Sequence, residues 1–135
     1  MLNQEKVRMD KKKILIIDDE VDLVEILSLR LRASGYEVDS LPEGEGALEK
    51  IRSCGADLVI LDIMLPKVDG YKICEEIKKD PKLSSIPVIL LTAKDPKEEK
   101  EKFELANPND CIMKPFEPRD LLDKIKVLIR ESSES

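Results

Sequence analysis

Residues 57–70, DLVILDIMLPKVDG, constrain this chain more than any other stretch. Leu58 to Leu61 are apolar without alternation, the pattern of a strand covered on both faces, and such strands belong to parallel sheets sandwiched between helices. The run stops on Asp62, after which Pro66 and Asp69-Gly70 break the backbone and open a new element. A carboxylate therefore stands where a buried strand emerges at its C-terminal end, the edge at which open α/β sheets bind ligands. Asp62 is the first candidate for chemistry.

The rest of the chain repeats this strand-then-helix rhythm. Residues 13–17 (KILII) read as a buried strand, followed by a helix over 20–34 with Val24, Leu27 and Leu31 on one face and Gly35 as its stop. A short strand at 36–41 precedes a weaker helix at 43–53 carrying Ala47, Leu48 and Ile51. After Asp62 a helix over 70–79 turns Ile73, Cys74 and Ile77 inward, and residues 86–91 (IPVILL) form a fourth strand ending on Thr92. Asp95-Pro96 starts a mostly polar helix over 97–105, with Asp as N-cap and Pro at the first position. Residues 111–113 are a fifth strand running into Lys114-Pro115, and 117–130 a final helix striped with Leu121, Leu122, Ile125, Leu128 and Ile129.

Five βα units without repeat or linker specify an α/β fold. The expected form is a doubly wound five-stranded parallel sheet, flavodoxin-like, in the order 2-1-3-4-5 with helices on both faces. Residues 1–11 read as a solvated leader, 12–130 as one domain and 131–135 as a polar tail.

Composition narrows the function. The net charge of −6 argues against nucleic acid, which is bound chiefly by neutralising phosphates. No apolar run approaches the ~20 residues that span a bilayer, so no membrane insertion is expected. Cys54, Cys74 and Cys111 are odd in number and lack metal-type spacing, which fits a reducing, cytoplasmic setting. The chain has no His, which removes most zinc sites and every His-based catalytic triad.

At the C-terminal ends of the strands stand Asp18 and Asp19, Asp62, Thr92 and Lys114. Adjacent strands lie about 4.8 Å apart, so the Asp18-Asp19 pair and Asp62 should be neighbours. Carboxylates that close repel one another unless a cation joins them. Lys114 supplies one charge; Mg²⁺, held typically by one or two carboxylates plus phosphate oxygens, completes the balance. An Asp beside such an ion, a hydroxyl and an ammonium describes a site that receives a phosphoryl group. Taken singly, each residue has a plainer reading: a strand-ending Asp caps a loop, Thr92 favours a strand, and Asp18-Asp19-Glu20 suits a helix N-terminus.

The segments ILIIDDE (14–20), LVILDIMLPKVDG (58–70), VILLTAK (88–94) and IMKPF (112–116), in this order, resemble the receiver domain of two-component response regulators, of the chemotaxis-regulator kind. The resemblance implies that Asp62 is the phosphoacceptor, in a Mg²⁺- or Mn²⁺-dependent reaction. It implies that Asp19 and Asp62 bind the metal directly, that Asp18 acts largely through metal-bound water, and that the Met64 carbonyl is a further ligand. Thr92 and Lys114 would contact the phosphoryl group, and the Lys114-Pro115 bond would be cis. The donor would be a phosphohistidine on a sensor histidine kinase or phosphotransfer protein. The downstream effector is not indicated, and the family admits a phosphorylation-dependent dimer. Such a domain is a switch that catalyses its own phosphorylation and dephosphorylation rather than a metabolic enzyme.

Two features depart from, or add to, that pattern. Receivers commonly carry an aromatic residue where this chain has Cys111, so the expected switch pairs Thr92 with a thiol and moves residues 97–105 and the fifth strand without a swinging ring. Leu23 and Ile26 widen the apolar arc of the first helix, as a broad core contact or as a surface that, with Pro115 and Phe116 after the fifth strand, docks the kinase. Rival classes remain open: an Asp-nucleophile phosphohydrolase, which wants a second carboxylate where Met64 stands, and a nucleotide binder, whose phosphate Asp18-Asp19-Glu20 would repel.

Overall fold

The computed structural model describes residues 11–134, so nearly all of the leader expected at the N-terminus lies outside the described residues. The elements are β1 (Lys13–Ile17), α1 (Val21–Ala33), β2 (Glu37–Leu41), α2 (Ala47–Cys54), β3 (Leu58–Asp62), α3 (Gly70–Lys79), β4 (Val88–Thr92), a 3₁₀ turn (Pro96–Glu99), α4 (Lys100–Ala106), β5 (Asp110–Met113) and α5 (Pro118–Glu134). All strand pairs are parallel, and the sheet order is β2-β1-β3-β4-β5. The architecture expected from the apolar runs is the one observed.

Period-two alternation divides the core into two layers. Ile14 and Ile16, Leu58 and Ile60, and Ile89 and Leu91 face one way, against Leu27 and Leu31 of α1 and Leu121 and Ile125 of α5. Leu15 and Ile17, Val59 and Leu61, and Val88 and Leu90 face the other way, against Ile51 of α2 and Ile73, Cys74 and Ile77 of α3. Every residue of β1 from Ile14 to Ile17 and of β3 from Leu58 to Leu61 is fully buried. Each such side chain contributes roughly 1.5–3 kcal/mol relative to exposure, which makes the central strands the rigid part of the molecule.

Differences from the sequence reading fall at helix and strand ends. The second helix begins at Ala47 rather than 43, because two glycines among residues 43–46 each disfavour helix by about 1 kcal/mol. The fourth strand starts at Val88, since Pro87 has no N–H to give to a ladder. The segment expected as one helix over 97–105 is a 3₁₀ turn and then a short α4, of which Ala106 alone is buried. Asp95 does cap it, accepting from the Lys97 N–H at 2.9 Å. The final helix continues to Glu134, through most of the segment expected to be a tail.

Candidate phosphoryl-transfer site

Strand register explains which charged groups meet. Ile17 of β1 lies opposite Leu61 of β3, so the next residue of each strand, Asp18 and Asp62, emerge side by side. Both share the sheet face of the even-numbered residues before them, and Lys114 follows Ile112 on that same face from β5. The Lys114 Nζ donates to Asp18 Oδ2 at 3.0 Å, to Asp62 Oδ2 at 3.1 Å and to Glu20 Oε1 at 2.7 Å. An ammonium has three N–H donors, and all three are engaged. The Asp18 side chain is fully buried and that of Asp62 nearly so, whereas Glu20 is largely exposed.

Backbone groups fix the two aspartates. The Glu20 N–H donates to Asp18 Oδ1 at 2.8 Å, and the Met64 N–H to Asp62 Oδ1 at 3.0 Å. Asp18 is further anchored through its own N–H, which donates to the Leu41 carbonyl. Gly70, at the start of α3, lies flat on the end of β3, where an added Cβ would strike the Asp62 carbonyl oxygen and come within 2.6 Å of the Ile63 Cα. The Lys114-Pro115 bond is cis.

The charges perturb one another. Burial raises the pKa of Asp62, the Asp18 charge adds to it, and the Met64 N–H and Lys114 offset it only in part. Burial works to lower the pKa of Lys114, but its bonds to Glu20 and Asp18 and the charge of Asp62 outweigh that and hold it above the usual lysine range. The folded protein thus binds the Asp62 proton more tightly than the unfolded chain does. Wild-type stability therefore falls as pH rises from the unfolded aspartate value of about 3.9 through the raised folded one. Asn at this position never ionises, so in EDTA the thermal midpoint of Asp62→Asn should gain on that of wild type as pH climbs from 4 to 7. Parallel curves would show that the carboxylate is not strained.

Not every candidate joins the cluster. Asp19 is exposed and lies outside it, because the turn after β1, in which the Glu20 N–H donates to Asp18 Oδ1, brings the carboxylates of residues 18 and 20 together. Glu20 is the residue that sequence reasoning passed over, as a helix-end charge; the i, i+2 relation to Asp18 was the available signal. Met64 is exposed and reaches Asp62 through its N–H. Thr92 has the opposite strand parity. Its Oγ1 donates to the Lys94 carbonyl at 2.8 Å and accepts from the Lys94 N–H at 3.0 Å, and it borders a cleft of about 410 Å³ with Met64, Tyr71 and Glu99. Cys111, half-buried, packs against that second layer, its thiol pKa raised by burial and by Asp110. Tyr71 lies there too, pushed up to about 12 by burial and by Glu99 and Asp69. Of the docking candidates, Leu23 is half-buried, Ile26 is 52% exposed, Pro115 is exposed, and Phe116 packs partly on the α1/α5 layer.

The donor set suits a hard divalent ion. Asp18, Glu20 and Asp62 each offer a carboxylate oxygen within 4.8 Å of the others, with no sulfur or imidazole among them. Among the described residues no helix is long and apolar enough to cross a membrane.

Comparison with known proteins agrees with this arrangement. The family model for the response regulator receiver domain matches residues 14–126. The alkaline phosphatase synthesis transcriptional regulatory protein PhoP of Bacillus subtilis is 38% identical over 121 residues, covering 90% of this chain and 50% of PhoP. The chain spans about half the length of the curated relatives it matches. Among solved structures, a CheY-like response regulator receiver domain protein from Methanospirillum hungatei superposes with a TM-score of 0.84 at 31% identity, covering 93% of this chain and 98% of that one. The response regulator TrrA of Thermotoga maritima, solved in complex with Mg²⁺-BeF, gives 0.76 at 37% identity, covering 87% and 98%. By fold, register and match alike, this chain belongs to the response regulator receiver domain family.

Proposed function

We propose that Asp62 is the phosphoacceptor of this receiver domain and takes its phosphoryl group from a phosphohistidine on a histidine kinase or phosphotransfer protein. The observation that carries the reading is the Lys114 ammonium bonded at once to Asp18 and Asp62 at the end of the central strand. An Asp62 oxygen attacks phosphorus while the bond to the donor's leaving group breaks, giving an acyl phosphate. Asp18, Asp62 and the Met64 carbonyl would hold Mg²⁺, and Asp19, exposed at the next position after Asp18, would turn its side chain in to complete the set. When bound, the ion supplies positive charge that offsets the phosphoryl oxygens. Lys114 keeps a fixed positive charge at the same place. Thr92 leaves its Lys94 bonds to reach a phosphoryl oxygen, and its release moves residues 96–106, of which Ala106 alone is buried, and β5. Cys111 takes part as a small packed thiol.

The direct test is incubation with acetyl phosphate, with Mg²⁺ or with EDTA, followed by intact mass and mapping of the adduct. A metal-dependent adduct on the peptide holding Asp62 is expected; one that forms equally in EDTA contradicts the reading. Docking of the kinase on α1 has a separate test. Ile26→Ser should slow transfer from a cognate kinase about ten-fold, the effect of a contact worth ~1.4 kcal/mol, and leave the acetyl phosphate rate unchanged. Equal losses with both donors would remove Ile26 from the docking surface.

A further inference from the structure

The geometry points to Glu20 as a displaceable counter-ion of Lys114, a positioning residue that occupies the ammonium donor the incoming phosphoryl group needs. The inference rests on the assignment of Asp62 as acceptor and deepens it. Lys114 has no spare N–H: Asp18, Glu20 and Asp62 take one each. For the ammonium to meet a phosphoryl oxygen, one of these bonds must open. Asp18 cannot yield it, being fully buried and pinned through Oδ1 by the Glu20 N–H. Asp62 is held by the Met64 N–H and by its place at the end of β3. Glu20 has the shortest of the three contacts but the most exposed side chain, 59% against 0% and 6%, so it can swing into water at little cost.

Its charge acts in the same direction as its bond. With Glu20 in place, three carboxylates and one ammonium leave the rim negative until a divalent ion binds, and the Glu20 charge still opposes an arriving phosphodonor dianion. When Asp62 bonds to phosphorus and the donor's leaving group departs with the electron pair of the broken bond, no proton is transferred. The Lys114 donor vacated by Glu20 turns to a phosphoryl oxygen instead. Glu20 therefore holds Lys114 in line before transfer and sets how readily transfer begins.

The test compares wild type, Glu20→Gln and Glu20→Asp, each at saturating Mg²⁺, by the rate of adduct formation with acetyl phosphate. Glu20→Gln should react about two- to five-fold faster, the range that loss of one exposed ion pair gives, with a lower half-saturating donor concentration. Glu20→Asp, which keeps the charge, should stay closer to wild type. Independently of any transfer, ¹⁵N-resolved spectra of the lysine ammonium groups should show Lys114 exchanging with water faster in Glu20→Gln than in wild type. An unchanged or slower rate, or an unchanged Lys114 signal, overturns the proposal. So does a Mg²⁺ affinity lowered by more than about ten-fold, which would make Glu20 a metal ligand. Absence of any adduct in wild type would instead overturn the acceptor assignment, so the two failures are distinguishable.

Discussion

Asp62→Asn should abolish uptake of a phosphoryl group from acetyl phosphate while the protein stays folded. In the presence of Mg²⁺ the wild type is expected to gain one phosphoryl mass, and the variant none. Asn matches Asp in shape, so the packing at the end of β3 and the bond from the Met64 N–H survive. What disappears is the nucleophilic oxygen, since a neutral amide does not attack phosphorus at a useful rate. The neighbours are not placed to replace it: Asp18 is fully buried and bonded at both oxygens, and Asp19 is exposed and outside the group of carboxylates around Asp62. The measurement is intact mass on both proteins with thermal melts in parallel. An adduct that persists on the folded variant would move the acceptor to another carboxylate.

Gly70→Ala should cost about 3 kcal/mol, lowering Tm by roughly 10 °C, the largest stability loss expected of a Cβ added at any of the five glycines. The new Cβ would meet the Asp62 carbonyl oxygen and the Ile63 Cα and carbonyl, which are backbone atoms of the central strand's end. Side chains can rotate away from a methyl, but this backbone is fixed by β1 and β4 on either side. The better helix propensity of Ala returns at most ~1 kcal/mol. Gly55→Ala is the informative control. It has φ +68 but nothing within 4 Å of its Cβ, so only left-handed strain of about 1–2 kcal/mol applies. Equal melting losses for the two would show that α3 moves off β3 freely. A Gly70→Ala protein that melts like wild type would place the helix start farther from Asp62.

The sheet and its order were legible because β1, β3 and β4 are unbroken apolar runs that tolerate only burial on both faces. The meeting of Asp18, Asp62 and Lys114 followed from the same pattern, since in a parallel sheet all strand ends share one rim. The face each residue takes was not legible: the layers of the folded sheet put Asp18, Asp62 and Lys114 on one face and Thr92, with Val88 and Leu90, on the other. What the pattern could not supply was the path of the turn leaving β1. That turn is set by one side chain, Asp18, accepting the Glu20 N–H, and it exchanges Asp19 for Glu20 in the cluster. The division of residues 96–106 was hidden for a related reason. With Ala106 its sole buried residue, that segment has too little apolar periodicity to show where its 3₁₀ turn ends and its α-helix begins.

α5 begins at Pro118, four residues past Lys114, and packs along the sheet through Leu121 and Ile125. Its 17 residues extend roughly 25 Å, away from the acidic end. The helix is in effect a lever arm whose near end sits beside the ammonium. A fluorophore attached after Glu134 would stand a helix length from the acidic rim, and a change in its signal on addition of a phosphodonor would be expected to read how α5 tilts or slides on the strands beneath it.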